Sequence, residues 1–193
     1  MKNSVIFLAN GFEEIEALTV VDVLRRASLR CDMCSIEDIE VTGSHGITVK
    51  ADLVISDLVE ENYNCLILPG GMPGAKNLKE NKKIIELVKS FNKAGDLVAA
   101  ICAAPIVLKE ADIIKDKKIT SFPGVRSELV GCDYQEEIVV QDENLVTSRG
   151  PATAIQFAIQ LAENLSGKET SEKLRQDMLV DFVENKIVTS SKL

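Results

Sequence analysis

Cys102 sits between an apolar run, Leu97-Val98-Ala99-Ala100-Ile101, and Ala103-Ala104-Pro105, where a helix can begin. A cysteine between a buried strand and a helix start meets unpaired N–H groups and a positive field, which lower a thiol pKa and make a nucleophile. Cysteine also packs as a small inert hydrophobe, so position alone leaves both readings open. A second apolar run, Cys65-Leu66-Ile67-Leu68, ends in Pro69-Gly70-Gly71. Glycine permits close backbone approach or positive φ, and N–H groups there would form an oxyanion hole beside Cys102. An ordinary loop is the alternative. The segment is not a Walker loop, because no Gly-Lys-Ser/Thr follows, and it matches no dinucleotide fingerprint. The acids Glu13, Glu14 and Glu16 open the next candidate helix. One of them aimed at a thiol would have a raised pKa and could shuttle a proton, whereas three solvated acids at a helix start need no such role.

Other chemistry-bearing residues carry less. Cys31-Asp32-Met33-Cys34 is a CxxC, but it falls within a predicted strand, where its two sulfurs point in different directions, and no second CxxC completes a zinc set. His45 is the only histidine and lies in Gly43-Ser44-His45-Gly46, a predicted turn that either borders the cleft or is idle. Arg149 and Arg126 each follow a strand or turn, where a guanidinium binds an anion or anchors a helix. One histidine and dispersed carboxylates argue against a transition-metal site, and no cofactor is expected.

These residues need elements to position them. Val5 to Ala9 reads as a central strand buried on both faces rather than as a leader. A helix is predicted from about Glu13 to Ser28, with Ile15, Leu18, Val23 and their neighbours on its apolar side. Arg30 to Ile36 reads as a strand, and residues 39–49 as a hairpin at the sheet edge. Asn81 to Ala94 is amphipathic and stops at Gly95. Pro105 is tolerated in the first turn of a helix running to about Ala111. Lys118 to Ser121 is a weak strand, and Ile138-Val139-Val140 pairs with Leu145 to Ser148. Helices then follow over about 154–165 and over Glu169 to Val183. Alternating strands and helices predict an α/β layered fold.

The chain has 193 residues, 46% hydrophobic and 27% charged, with a formal net charge of -8. That length predicts one domain over residues 1–193, with a flexible tail over residues 185–193. An acidic surface argues against a dedicated nucleic-acid surface, though one local arginine can still hold a small anion. No run approaches the length that spans a bilayer, so no membrane partner is expected. Five irregularly spaced cysteines do not make a disulfide framework and fit a reducing cytoplasm. Ser191-Lys192-Leu193 is a peroxisomal address only where a eukaryotic receptor reads it.

Four ordered blocks resemble the DJ-1/PfpI/ThiJ family, in particular its DJ-1 branch and bacterial relatives. They are residues 10–16 (Asn10 to Glu16), Leu68-Pro69-Gly70-Gly71, residues 100–105 (Ala100 to Pro105) and Thr147-Ser148-Arg149-Gly150-Pro151. The resemblance covers nearly the whole chain. It implies a flavodoxin-like three-layer α/β sandwich with a mostly parallel central sheet, in a homodimer. By the same likeness Cys102 is the reactive, oxidisable thiol and Glu16 the protonated carboxyl bonded to it. Gly71 and Ala103 supply the oxyanion hole, and Arg149, with Gly70, lies at the anion and substrate site. Two departures stand out. Phe122 occupies the place of a histidine found in DJ-1 proper, and His45 stands where a rim arginine makes the substrate and anion contact, which it would replace only weakly at neutral pH. The protease-like branch has a histidine directly after the nucleophile, where this chain has Ala103.

The activity so implied is a glutathione-independent glyoxalase, or a deglycase, acting on methylglyoxal, glyoxal or their early adducts. The alternative is an oxidative-stress sensor or chaperone working through Cys102 oxidation. A third reading is an unrelated small-molecule role on the same fold.

Overall fold

The computed structural model describes residues 3–190. Its chain order is β1 (Ser4–Leu8), α1 (Glu14–Arg26), β2 (Cys31–Ser35), β3 (Glu40–Thr42), β4 (Thr48–Lys50), β5 (Leu53–Val54), β6 (Cys65–Leu68), α2 (Gly74–Glu80) and α3 (Lys82–Ala94). It continues with β7 (Leu97–Ile101), α4 (Pro105–Glu110), β8 (Lys118–Ile119), β9 (Asp133–Tyr134), β10 (Val139–Asp142), β11 (Leu145–Ser148), α5 (Ala154–Ser166), α6 (Lys168–Asp177) and α7 (Val180–Ser190).

The apolar runs become the middle of a seven-stranded sheet ordered β10-β11-β7-β6-β1-β2-β5. β10 alone runs antiparallel, against β11. Every residue of β1 and β6 is buried. This is why those strands read as continuous hydrophobic segments rather than as alternating ones. Successive side chains leave a strand on opposite faces. Phe7, Leu66, Leu68 and Ala100 accordingly pack with Leu78, Ile84, Phe91 and Val107 of α2, α3 and α4. Ile6, Leu8, Ile67 and Ile101 pack with Val20, Leu24, Phe157 and Leu161 of α1 and α5. The result is the expected flavodoxin-like sandwich of three layers.

Local sequence explains the element ends. Asn81 caps α3 by accepting the Ile84 N–H at 3.2 Å, and Gly95 closes that helix at φ 76°. Pro105 opens α4.

Four expectations change. The buried side of α1 carries Glu16, Ala17, Val20, Val21, Val23 and Leu24, whereas Ile15 is 56% exposed. The helix is rotated from the predicted phase, so Glu16 rather than Ile15 turns inward. The Pro73-Gly74 stretch, expected as loop, starts the short helix α2. The single final helix is two, α6 and α7, broken where Leu179 adopts φ 59°. Residues 185–190, expected as tail, continue α7, while Ser191-Lys192-Leu193 lies outside the described residues. Among the described residues no helix is long and apolar enough to cross a membrane.

Candidate active site

The chain passes from β1 to β2 on one side and later returns as β6 on the other. Two parallel neighbours whose connections leave in opposite directions open a crevice beyond their carboxyl ends. The segments entering that crevice are the β1–α1 connection, the turn after β6 and the turn after β7.

Cys102 directly follows β7 and has φ 63°. For a residue with a Cβ this left-handed conformation costs about 1–3 kcal/mol and persists only when surrounding contacts impose it. Two backbone bonds do so here. The Cys102 N–H donates to Ser148 O at 3.0 Å, and its carbonyl accepts the Phe122 N–H at 2.8 Å. The side chain remains partly exposed, in contrast to the buried Cys31, Cys34 and Cys65.

Glu16 has no exposed surface. Its Oε2 accepts the Gly70 N–H at 2.8 Å. Oε1 is buried with no nitrogen or oxygen partner, and the carboxyl faces the Cys102 thiol. Burial raises the Glu16 pKa to about 7, against the hydrogen bonds from Cys102 and Gly70, with a small upward push from Glu13.

The thiol corrects a sequence expectation. Burial first, and then the adjacent Glu16 carboxylate, push Cys102 up to about 12 rather than down. N–H groups of Ala103 and Gly71 pull the other way by bonding to the sulfur. The helix behind it, α4, has only six residues. Its field is slight beside a carboxylate in contact.

Glycine is required at both positions of the turn after β6. A Cβ on Gly70 would lie 2.6 Å from Cys102 Cβ and from Glu16 Oε2. Gly71 has φ +87°, and a Cβ there would lie 2.4 Å from the Glu13 nitrogen.

The remaining predicted residues are dispersed. Arg149 follows β11, and its Nη1 reaches Thr120 Oγ1 at 3.4 Å. Phe122 is 48% exposed, on the segment bonded to the Cys102 carbonyl. His45 sits in the β3–β4 turn, and its Nδ1 lies 2.7 Å from Glu14 Oε2. Glu14 also accepts the His45 N–H at 2.7 Å and the Ile47 N–H at 3.5 Å. Burial opposes ionisation of Glu14, but these bonds outweigh it and hold the pKa at about 2. His45 is therefore engaged by Glu14, which raises the imidazole pKa.

Glu13, Glu14 and His45 bring one ligand atom each within 4.8 Å of one another, yet each acid already accepts a backbone N–H. Arg126 pairs with Glu136 at 2.8 Å and stacks over the Tyr134 ring at 4.6 Å, an anchoring role. Cys31 and Cys34 occupy opposite faces of β2, one in each core. They are buried, and burial raises both thiols.

Residue types alone left open which of the three leading acids turns inward, a choice that only the family resemblance made, for Glu16, and neither reading showed the Glu14 latch. The spacing of Glu13 and Glu16, with an acid at each end of the first helical turn, is the pattern of a cap and was the available signal.

The DJ-1/PfpI family model matches residues 2–164. Protein dj-1beta of Drosophila melanogaster is 35% identical over 185 residues, covering 94% of this chain and 98% of the relative. Its crystal structure superposes with a TM-score of 0.89 over 93% of this chain and 98% of that one. A Caenorhabditis elegans relative named glutathione-independent glyoxalase DJR-1.2 is 34% identical, covering 84% of this chain and 87% of its own. An oxidised DJ-1 from Toxoplasma gondii, 35% identical, superposes with a TM-score of 0.89 over 93% of this chain and 98% of that one.

Proposed function

The chain belongs to the DJ-1/PfpI family, and from that premise we propose that it is a cysteine-dependent, glutathione-independent glyoxalase acting on methylglyoxal or glyoxal. The observation that carries this reading is the buried Glu16 carboxyl against the Cys102 thiol, with two N–H groups on the sulfur. A carboxyl with a pKa near 7 is half protonated at neutral pH. The Cys102 thiol, pushed up to about 12, keeps its own proton at that pH, so the pair rests mainly with the thiol protonated, and the reactive arrangement is the minor one in which Glu16 is the acid and Cys102 the thiolate.

In the reaction, the sulfur adds to the aldehyde carbon and the carbonyl oxygen takes a proton, forming a hemithioacetal. N–H groups of Gly71 and Ala103 hold the developing oxyanion. Glu16 then carries the proton from the former aldehyde carbon to the neighbouring one through an enediol, leaving a thioester on Cys102. Water cleaves the thioester, so methylglyoxal plus water yields lactate and glyoxal plus water yields glycolate. Scavenging free aldehyde also reverses early aminocarbinol adducts on amines, which is the deglycase form of the same activity. Arg149, one residue from the strand end that binds the Cys102 N–H, is the anion contact for the carboxylate product.

The test is methylglyoxal consumption with product analysis in wild type, C102S and E16Q. Loss of about a hundredfold or more is expected in both variants, because nucleophile and proton carrier act as a unit. A variant with Glu16 replaced that still turns over at the wild-type rate would overturn the mechanism.

A second reading is favoured by one observation: of the two partly exposed cysteines, Cys102 and Cys132, only Cys102 has the Glu16 carboxyl and the Gly71 and Ala103 N–H groups beside its sulfur, while Cys31, Cys34 and Cys65 are buried. Peroxide would convert the Cys102 thiolate to sulfenate and, with a second equivalent, to sulfinate, releasing water each time. Glu16 would donate a hydrogen bond to that product. Lack of aldehyde turnover in the reduced protein, with selective peroxide oxidation of Cys102 by mass spectrometry, would make this sensor role the better description. We also infer a homodimer, as in the family resemblance. Ile15 and Ile47, 56% and 54% exposed, line one apolar depression with Pro151 and are the surface that would associate.

A further inference from the structure

Glu16 does not hold its direction alone. Three hydrogen bonds close a ring around it. The Glu16 N–H donates to Glu13 Oε2 at 2.7 Å. The Glu13 N–H donates to Gly70 O at 3.0 Å. The Gly70 N–H donates to Glu16 Oε2 at 2.8 Å. The ring ties the first turn of α1 to the end of β6, across the crevice that Cys102 faces.

Glu13 is an unusual occupant. Caps are mostly Ser, Thr, Asp or Asn, because a short side chain reaches the N–H with little entropy lost. Here the longer acid is 7% exposed and also meets the backbone of the neighbouring turn. Its backbone is tightly held: a Cβ on Gly71 would sit 2.4 Å from the Glu13 nitrogen, which donates to Gly70 O.

We propose that Glu13 is a positioning residue, which by completing this ring keeps the Glu16 carboxyl turned onto the Cys102 sulfur. This rests on the reading of Cys102 and Glu16 as the working pair, but its test does not require aldehyde turnover. The charged and titratable groups around Glu16 are Cys102 after β7 and Glu13 on its own helix. His45 Nδ1 lies 3.9 Å from the other oxygen of Glu13. When Glu16 faces the sulfur, its charge resists thiolate formation. When it turns away, that resistance falls.

The experiment measures the pH dependence of Cys102 alkylation by iodoacetamide, with site-resolved mass spectrometry, in wild type, E13A, E13Q and E16Q. E16Q, lacking the charge, sets the full downward displacement of the midpoint. E13A is expected to move the midpoint in the same direction by about one pH unit. E13Q retains an oxygen that accepts the Glu16 N–H and is expected to follow wild type. Loss of one cap costs about 1 kcal/mol, within the stability of an ordinary domain, so E13A remains folded. An E13A midpoint superimposed on wild type would show Glu13 to be only a cap. An E13Q midpoint displaced as far as E13A would show that charge, not the bond, acts on the pair. Either result overturns the proposal. The glyoxalase reading fails separately, through absent product in the wild type, and leaves these midpoints unaffected.

Discussion

Glu16 is fully buried, and its pKa of about 7 ties stability to pH. The folded value lies above the ordinary 4.5, so proton binding favours the native state. That contribution is complete below the ordinary value and is lost as pH rises through about 7. Above it, the buried charge costs about 3 kcal/mol of stability. E16Q is therefore expected to unfold at higher urea than wild type near pH 8 and at similar urea near pH 4, by fluorescence or circular dichroism. Coincident midpoints at both pH values would contradict the buried-acid description. Glu14, two residues earlier, titrates with the opposite sense. Its pKa is held at about 2, so its contribution is present above the ordinary 4.5 and disappears as pH falls through about 2. One helical turn thus carries two acids whose environments separate their protonation, a difference in burial and donors that residue type does not reveal.

At the scale of elements, the site is made by three connections meeting, and the glycines mark where they touch. G70A places a Cβ 2.6 Å from both Cys102 Cβ and Glu16 Oε2. Either side chain must move, so alkylation of Cys102 and aldehyde turnover are expected to change at least tenfold while far-UV circular dichroism is retained. Unchanged kinetics in G70A would show the contact to be slack. The strand before Cys102 was legible from its apolar run, and so was the Asn81–Gly95 framing of α3. α1 was legible as a helix but not in its rotation. Its apolar residues nearly encircle it, so periodicity alone did not select Glu16 over Ile15. The Glu14 latch on the β3–β4 turn was equally hidden, because the partners are 31 residues apart.

Across the whole molecule, the inferred dimer is the feature most open to test. Exposed Ile15 and Ile47 are expected to be covered in a two-chain particle, since a stable interface buries about 1,200–2,000 Å². Sedimentation velocity should give twice the chain mass for wild type and a shift to single chains in the I15E/I47E variant. A wild type that sediments as one chain would remove the dimer. The sequence by itself determined the layered α/β architecture, since continuous apolar runs alternating with amphipathic helices have few other ways to bury their surface. Through motif likeness it also singled out Cys102, Glu16, Gly70 and Gly71. Only the tertiary structure decided that Glu16 is sealed from water, that Cys102 carries a raised rather than a lowered thiol pKa, and that His45 is engaged by Glu14. Those properties depend on burial and on neighbours far along the chain. A pKa is a statement about an environment, and the environment exists only once the strands and helices have closed around it.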